Sequence, residues 1–173
     1  YEMLRSLVGS EMCIRDRNLG AWVRKQCPEK EILLWDGYCP IHNSITQQDV
    51  LRAKAQHPSA KLAMHPECPP EALQHADMIG ATSAIIDYAL QNEQEDILFG
   101  TECGVYNDLI QKYPRRHFYQ LRGDKLICPD MKMTSLQDVY MAITGAGGEE
   151  IVLEEPLRKA AKRSLDNMLK YGG

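Results

Sequence analysis

The 173-residue sequence contains no run near the roughly 18 consecutive apolar residues that a membrane-spanning helix requires. Nor does it carry an apolar stretch behind a basic N-terminal segment of the kind that directs secretion. Both absences point to a cytoplasmic protein with no membrane attachment. Positive charge is not in excess either: 20 Lys and Arg stand against 24 Asp and Glu, for a net charge of −4. A field that attracts a phosphate backbone is therefore missing, which argues against nucleic acid and leaves small molecules as the expected ligands. The six cysteines lack both regular spacing and a secretory context, so they read as free thiols or metal ligands rather than a disulfide framework. Apolar content is not in short supply. At 44% hydrophobic and 25% charged, the chain can fill one ordinary globular domain, or two small ones sharing a core.

Short apolar runs alternate with helical patterns from Asn18 onward, which is the signature of repeated βα units and a mostly parallel sheet. Strands are expected at Ile32 to Trp35, Lys61 to Met64, Asp77 to Ile79, Asp96 to Thr101 and His117 to Leu121. Helices are expected at Thr46 to Gln56, with Thr46 as N-cap, at Thr82 to Gln91, and at Tyr106 to Tyr113, where Pro114 stops the run. Beyond Cys128 the character changes to a helix at Ser135 to Ile143, a glycine-rich turn at Gly145 to Gly148, and an amphipathic helix at Pro156 to Lys170. That last helix places Leu157, Ala161, Leu165, Met168 and Leu169 on one face, which calls for a packing partner. Residues 1–17 show no periodicity and read as a leader foreign to the domain, which sets Cys13 aside.

Three groupings carry chemistry. Cys39 and Cys128, roughly ninety residues apart, each follow a short apolar stretch and precede proline, as if two copies of one βα unit presented a thiolate at the same topological point. Such thiolates can share a metal cluster; the alternative is two small buried hydrophobes. His65-Pro66-Glu67 follows the Lys61 to Met64 strand, where α/β proteins place ligand-binding groups. It suits an acid/base or metal-directed pair, or else is a proline-built turn with a solvated Glu67. Gly80-Ala81-Thr82-Ser83 opens a helix, where a phosphate or carboxylate fits, although Thr82 or Ser83 would also cap that helix with no ligand present. A rival assignment of the same residues is a structural zinc site made of Cys39, His42, His65 and Cys68 in a small α/β domain with an interaction role.

The ordered motifs are a D-x-N-L-G segment with Asp16 in first position and Asn18-Leu19-Gly20 after it, W-x-G-x-C-x-x-H at Trp35 to His42, and His65-Pro66-Glu67. Then come Gly80 to Ser83, Thr101 to Gly104, and Cys128 to Leu136. In this order they resemble the quinolinate synthases. The resemblance implies a pseudo-threefold set of three-layer α/β/α domains with parallel sheets, each giving one cysteine to a central 4Fe-4S cluster. On this chain Cys39 and Cys128 match the second and third cluster cysteines, and the first belongs upstream. Cys27, Cys68 and Cys103 fall outside the ligand positions. The implied reaction condenses iminoaspartate with dihydroxyacetone phosphate, losing phosphate and water, to give quinolinate for NAD biosynthesis. L-aspartate oxidase is the implied source of iminoaspartate. His65 would orient substrate or move protons, Glu67 would act as acid/base or transient iron ligand, and Thr82 would contact a substrate anion. Ala81 stands where a serine is frequent. His42 would support the cluster or substrate through a hydrogen bond. The implied division of the chain is a remnant of the second domain at 18–38, the third domain at 39–128, and C-terminal helices at 129–173 that pack on a first domain. A chain without that first domain is expected to be inactive.

Overall fold

The computed structural model describes residues 16–29, 32, 34 and 36–172. Two compact units divide the chain, one ending at Cys128 and the other starting at Pro129. In the first, helix α1 (Arg17–Gln26) starts where the Asp16 side chain accepts hydrogen bonds from the backbone N–H groups of Asn18 and Leu19. Arg24 and Lys25 in its last turn complement the helix dipole. A single turn, α2 (Pro40–Asn43), begins at Cys39, with proline at the position that needs no backbone N–H. Helix α3 (Gln47–Gln56) is set by a capping box in which Thr46 and Asp49 exchange hydrogen bonds.

The sheet is formed by β1 (Lys61–Met64), β2 (Met78–Ile79), β3 (Ile97–Gly100) and β4 (Phe118–Gln120), in the spatial order β2-β1-β3-β4. Every pairing is parallel: Met64 lies opposite both Ile79 and Gly100, and Phe99 lies opposite Gln120. Between these strands come α4 (Pro70–Leu73), α5 (Thr82–Gln91) and α6 (Cys103–Lys112). Alternate side chains go to opposite faces, as the strand period demands. Leu62, Met64 and Leu98 pack with Val50, Ala53, Ala72 and Leu73 from α3 and α4. Ala63, Ile97 and Phe99 pack with Ile85, Ala89 and Leu109 from α5 and α6. A sheet buried on both faces by helices is the three-layer α/β/α arrangement expected from the sequence. Full burial of Phe99, Leu62, Leu98 and Ile85 stabilises it by about 1.5–3 kcal/mol each.

From β1 the chain moves to β2 on one side, then returns to β3 on the other. The loops after β1 and β3 thus leave in different directions and open a crevice at the carboxyl end of the sheet. This position determines where the chemistry can sit.

In the second unit, α7 (Leu136–Thr144) starts at a Ser135/Asp138 capping box and ends at Gly145, whose φ of 69° is the left-handed stop that glycine adopts at little cost. Helix α8 (Glu155–Gly172) follows, with Leu157, Leu165 and Leu169 exposed. Among the described residues no helix is long and apolar enough to cross a membrane.

Several sequence expectations need correction. Ile32 and Leu34, the described residues of the expected Ile32 to Trp35 strand, lie in no strand. The helix expected from Tyr106 begins three residues earlier, at Cys103. Helix α1 has no counterpart among the elements expected from the sequence, and Asp16, the penultimate residue of the expected leader, is buried as its cap. Arg17, the last residue of that leader, opens the helix, whereas residues 1–15, Cys13 among them, lie outside the described residues.

Candidate active site

Cys39 occupies the position before α2, and His42 lies three residues on, so one turn of helix brings both to the same face. The Cys39 backbone N–H donates to Asp16 Oδ2 at 2.6 Å. Asn18 Nδ2 donates both to Asn43 Oδ1 and to the Glu67 carbonyl, each at 2.9 Å, and so ties α1 and α2 to the loop after β1. That loop carries His65 and Glu67. The neighbouring strand in the sheet, β3, leads directly into Thr101 and Glu102, and the His65 N–H donates to the Gly100 carbonyl at 3.1 Å, so the two strand ends are stitched together.

Buried His42 lies at the centre. Its Nδ1 is 2.9 Å from Glu67 Oε2, and its Nε2 is 3.3 Å from Thr101 Oγ. An ionised carboxylate only accepts, which assigns the proton to Nδ1 and leaves Nε2 to accept from the Thr101 hydroxyl. His65 stacks on the His42 ring at 4.5 Å, with 18° between the planes. Its Nδ1 accepts the Glu67 backbone N–H at 3.3 Å, which leaves the Nε2–H of a neutral His65 to address a substrate oxygen. While that ring is neutral, the 3.5 Å approach of its Nδ1 to Glu67 Oε2 is proximity rather than a hydrogen bond.

The electrostatics follow from these contacts. The His42 hydrogen bond, working against burial and helped by the charge of a protonated His65, holds the Glu67 carboxyl below the usual range. Burial, and then the neighbouring His42, push His65 below an ordinary histidine, so it is neutral near pH 7. Burial pushes the Cys39 thiol up, the backbone N–H groups of His42 and Ile41 oppose it, and the charges of Glu67 and Asp16 add to the rise. A thiol in that setting is a poor free nucleophile and ionises readily only against a cation.

Cys39, His42 and Glu67 hold their donor atoms within 4.8 Å of one another, the one such metal-capable trio among the described residues. The four-residue zinc set is not assembled. Cys68 lies in the core, donating to the Gly100 carbonyl at 3.6 Å, with burial pushing its thiol far up. Thr82 and Ser83 are exposed and cap nothing; Ala81 is the residue before α5, so the N-terminal N–H groups of that helix have no side-chain partner there. Cys128 sits after β4, its backbone N–H donating to Glu102 Oε1 at 3.3 Å. A groove of about 210 Å³ between α1 and α4, lined by Asn18, Trp22, Leu73 and Ile79 among others, contains none of the reactive side chains.

Comparison with known proteins gives this arrangement its context. The family model described as Quinolinate synthetase A protein matches residues 2–170. The chain belongs to the quinolinate synthetase A family. The quinolinate synthase of Caldicellulosiruptor bescii is 42% identical over 157 residues, which is 91% of this chain and 51% of that protein. That of Clostridioides difficile is 37% identical over 155 residues, 90% of this chain and 50% of its own. That of Alkaliphilus metalliredigens is 38% identical over 170 residues, 98% of this chain and 55% of its own. The chain thus spans about half the length of these curated members of the quinolinate synthetase A family.

Within that family setting, the sequence named Cys39, His42, His65 and Glu67, which the structure brings together. It left Thr101 and Glu102 without a role and set Asp16 apart. The signal for the first two was available, because they follow β3 as His65 and Glu67 follow β1.

Proposed function

We propose that this chain is the portion of a quinolinate synthase that carries the acid/base side chains and two of the cluster cysteines of the active site, here Cys39 and Cys128. The observation that carries this reading is the meeting of Cys39, His42, His65, Glu67 and Thr101 at the crevice between β1 and β3, in a chain of this family. The proposed overall reaction joins iminoaspartate to dihydroxyacetone phosphate, releasing phosphate and two waters as the pyridine ring of quinolinate closes. L-aspartate oxidase is the proposed supplier of iminoaspartate, and the cytoplasm the proposed compartment.

The donor chemistry fits an iron–sulfur cluster. Cys39 is a thiol whose ionisation awaits a cation, and the Cys128 backbone N–H is held by Glu102 just past β3. When bound, such a cluster with one iron free of protein thiolate supplies a Lewis acid for a substrate oxygen. The following roles fall to the chain's own residues. Glu67, held as a carboxylate, takes a proton from a substrate carbon or hydroxyl, and His42, donating to the same oxygen, fixes its orientation. Thr101 in turn holds His42 in the tautomer this requires. His65 donates from Nε2 to a substrate oxygen without bringing a positive charge. Thr82 and the first N–H groups of α5 receive the phosphate of dihydroxyacetone phosphate.

Two further parts of the proposal concern architecture. Residues 18–38 belong by descent to the second of three pseudo-equivalent domains and 39–128 to the third, while 129–173 pack on the first. The first cluster cysteine comes from the half of the relatives that this chain does not span, so the chain on its own is inactive. The test uses the full-length protein carrying this segment, reconstituted anaerobically. Cys39→Ser and Cys128→Ser should lose cluster iron and sulfide, whereas Cys68→Ala and Cys103→Ala should keep both. A full cluster in Cys128→Ser would sink the reading.

A further inference from the structure

Two buried carboxylates outside the acid/base group share an unusual division of labour. Asp16, 3% exposed, accepts the N–H groups of Asn18 and Leu19 through Oδ1 at 2.8 and 2.9 Å, and the N–H of Cys39 through Oδ2 at 2.6 Å. Glu102, 6% exposed, accepts the N–H of Gly104 through Oε2 at 2.6 Å, and through Oε1 the N–H of Cys128 at 3.3 Å and the thiol of Cys103 at 3.2 Å. In each case one oxygen starts an α-helix and the other holds the backbone of a cysteine far away in sequence.

We infer that Asp16 and Glu102 are paired positioning residues, each fixing one cluster cysteine to the N-terminus of a helix and placing a negative charge behind it. The inference rests on the assignment of Cys39 and Cys128 as cluster ligands. A buried carboxylate is costly unless its lone pairs are met, and the N–H groups and dipole of a helix start meet them here. The second oxygen then makes a charge-assisted bond to the cysteine backbone, which limits where Sγ projects. Helix capping alone would not require a carboxylate, because Asn caps as well as Asp. The retained charge therefore has a separate consequence: it disfavours adding an electron to the group those cysteines hold.

The experiment takes the full-length protein carrying this segment, with its cluster reconstituted, and compares Asp16→Asn and Glu102→Gln with the parent. Both amides keep an acceptor for the helix, so helix content by circular dichroism should not change. The cluster midpoint potential should move to more positive values, and iron release to a chelator should accelerate by about tenfold. Should an amide variant fail to fold, Asp16→Glu and Glu102→Asp keep the charge but alter the reach, and faster iron release is then the expected result. Parental potential and release in the folded variants, with cluster lost in Cys39→Ser and Cys128→Ser, overturns the inference alone. Cluster retained in those two serine variants overturns the ligand assignment and the inference with it.

Discussion

Asp49 is buried on α3 with its carboxylate against the Arg122 guanidinium and 2.9 Å from Lys125 Nζ, so helix α3 is held to the loop after β4 by charge. Burial pushes its carboxyl up, but Lys125, the Thr46 N–H and hydroxyl, and Arg122 together hold it well below the usual range. A carboxyl depressed in the folded state contributes stability that is complete above the unfolded value near pH 4 and is lost as the pH falls further. Asp49→Asn should therefore cost about 3 kcal/mol at neutral pH, and its gap to the parent should narrow steadily below about pH 4. Urea unfolding across that range reads both, and a gap that ignores pH would show that packing rather than charge is lost. Glu67 separates differently. In the full-length protein Glu67→Gln should keep cluster iron and lose about a hundredfold or more in turnover, as removal of an acid/base group does. Loss of iron instead would make Glu67 a ligand. Thr82, exposed and capping nothing, should tolerate alanine within about 0.5 kcal/mol in thermal unfolding, yet weaken phosphate-substrate binding in calorimetry of the full-length protein.

Elements were legible in the sequence in proportion to how far their own side chains explain them. Strand β1 and helix α5 match their expected spans, because Leu62 to Met64 form a continuous apolar run suited to a strand buried on both faces, and Ile85, Ile86, Ala89 and Leu90 carry a helical period. Helices α2 and α4 are single turns, too short for any stripe to repeat. Helix α1 is set by Asp16 and anchored by Asn18 bonding to Asn43 and Glu67, partners 25 and 49 residues away, which no local pattern reveals. The same distinction holds for the site. His65 and Glu67 were readable from their place at a strand end, whereas the Thr101 contact to His42 depends on β3 lying beside β1, a matter of topology. That adjacency can be probed at Gly100, where an added Cβ would stand 2.7 Å from Met64 Cγ on the neighbouring strand, while the Gly100 carbonyl receives the His65 N–H. Gly100→Ala should destabilise by about 1–3 kcal/mol through overpacking. Combining it with Met64→Ala should recover part of that loss in a double-mutant cycle, and strict additivity of the two would mean that the strands do not meet there as described.

At the scale of the whole molecule, the two units differ in how they treat apolar surface. Up to Cys128 two buried clusters close on the faces of the sheet, but beyond it Leu136, Ile143, Ile151, Leu157, Leu165 and Leu169 are all exposed. On α8 the last three recur at helical spacing alongside Ala161, an apolar stripe on a helix whose other positions are largely charged. A contiguous exposed stripe of this kind drives association with whatever apolar surface is available. For this chain in solution, one such surface is the same stripe on another copy. Sedimentation velocity should therefore show concentration-dependent self-association, and replacing Leu157, Leu165 and Leu169 together by Glu should return the chain to a monomer. Circular dichroism should keep its helical signal in that variant, because Glu propagates a helix about as well as Leu. Neither form should produce quinolinate from iminoaspartate and dihydroxyacetone phosphate, since on the proposed reading the remaining cluster thiolate lies in the half of the enzyme that the chain does not span. A parent chain that stays monomeric at high concentration would show that the α8 stripe is satisfied within the chain itself. Turnover by either form would place every group the reaction needs within these residues, and the three-domain reading would fail.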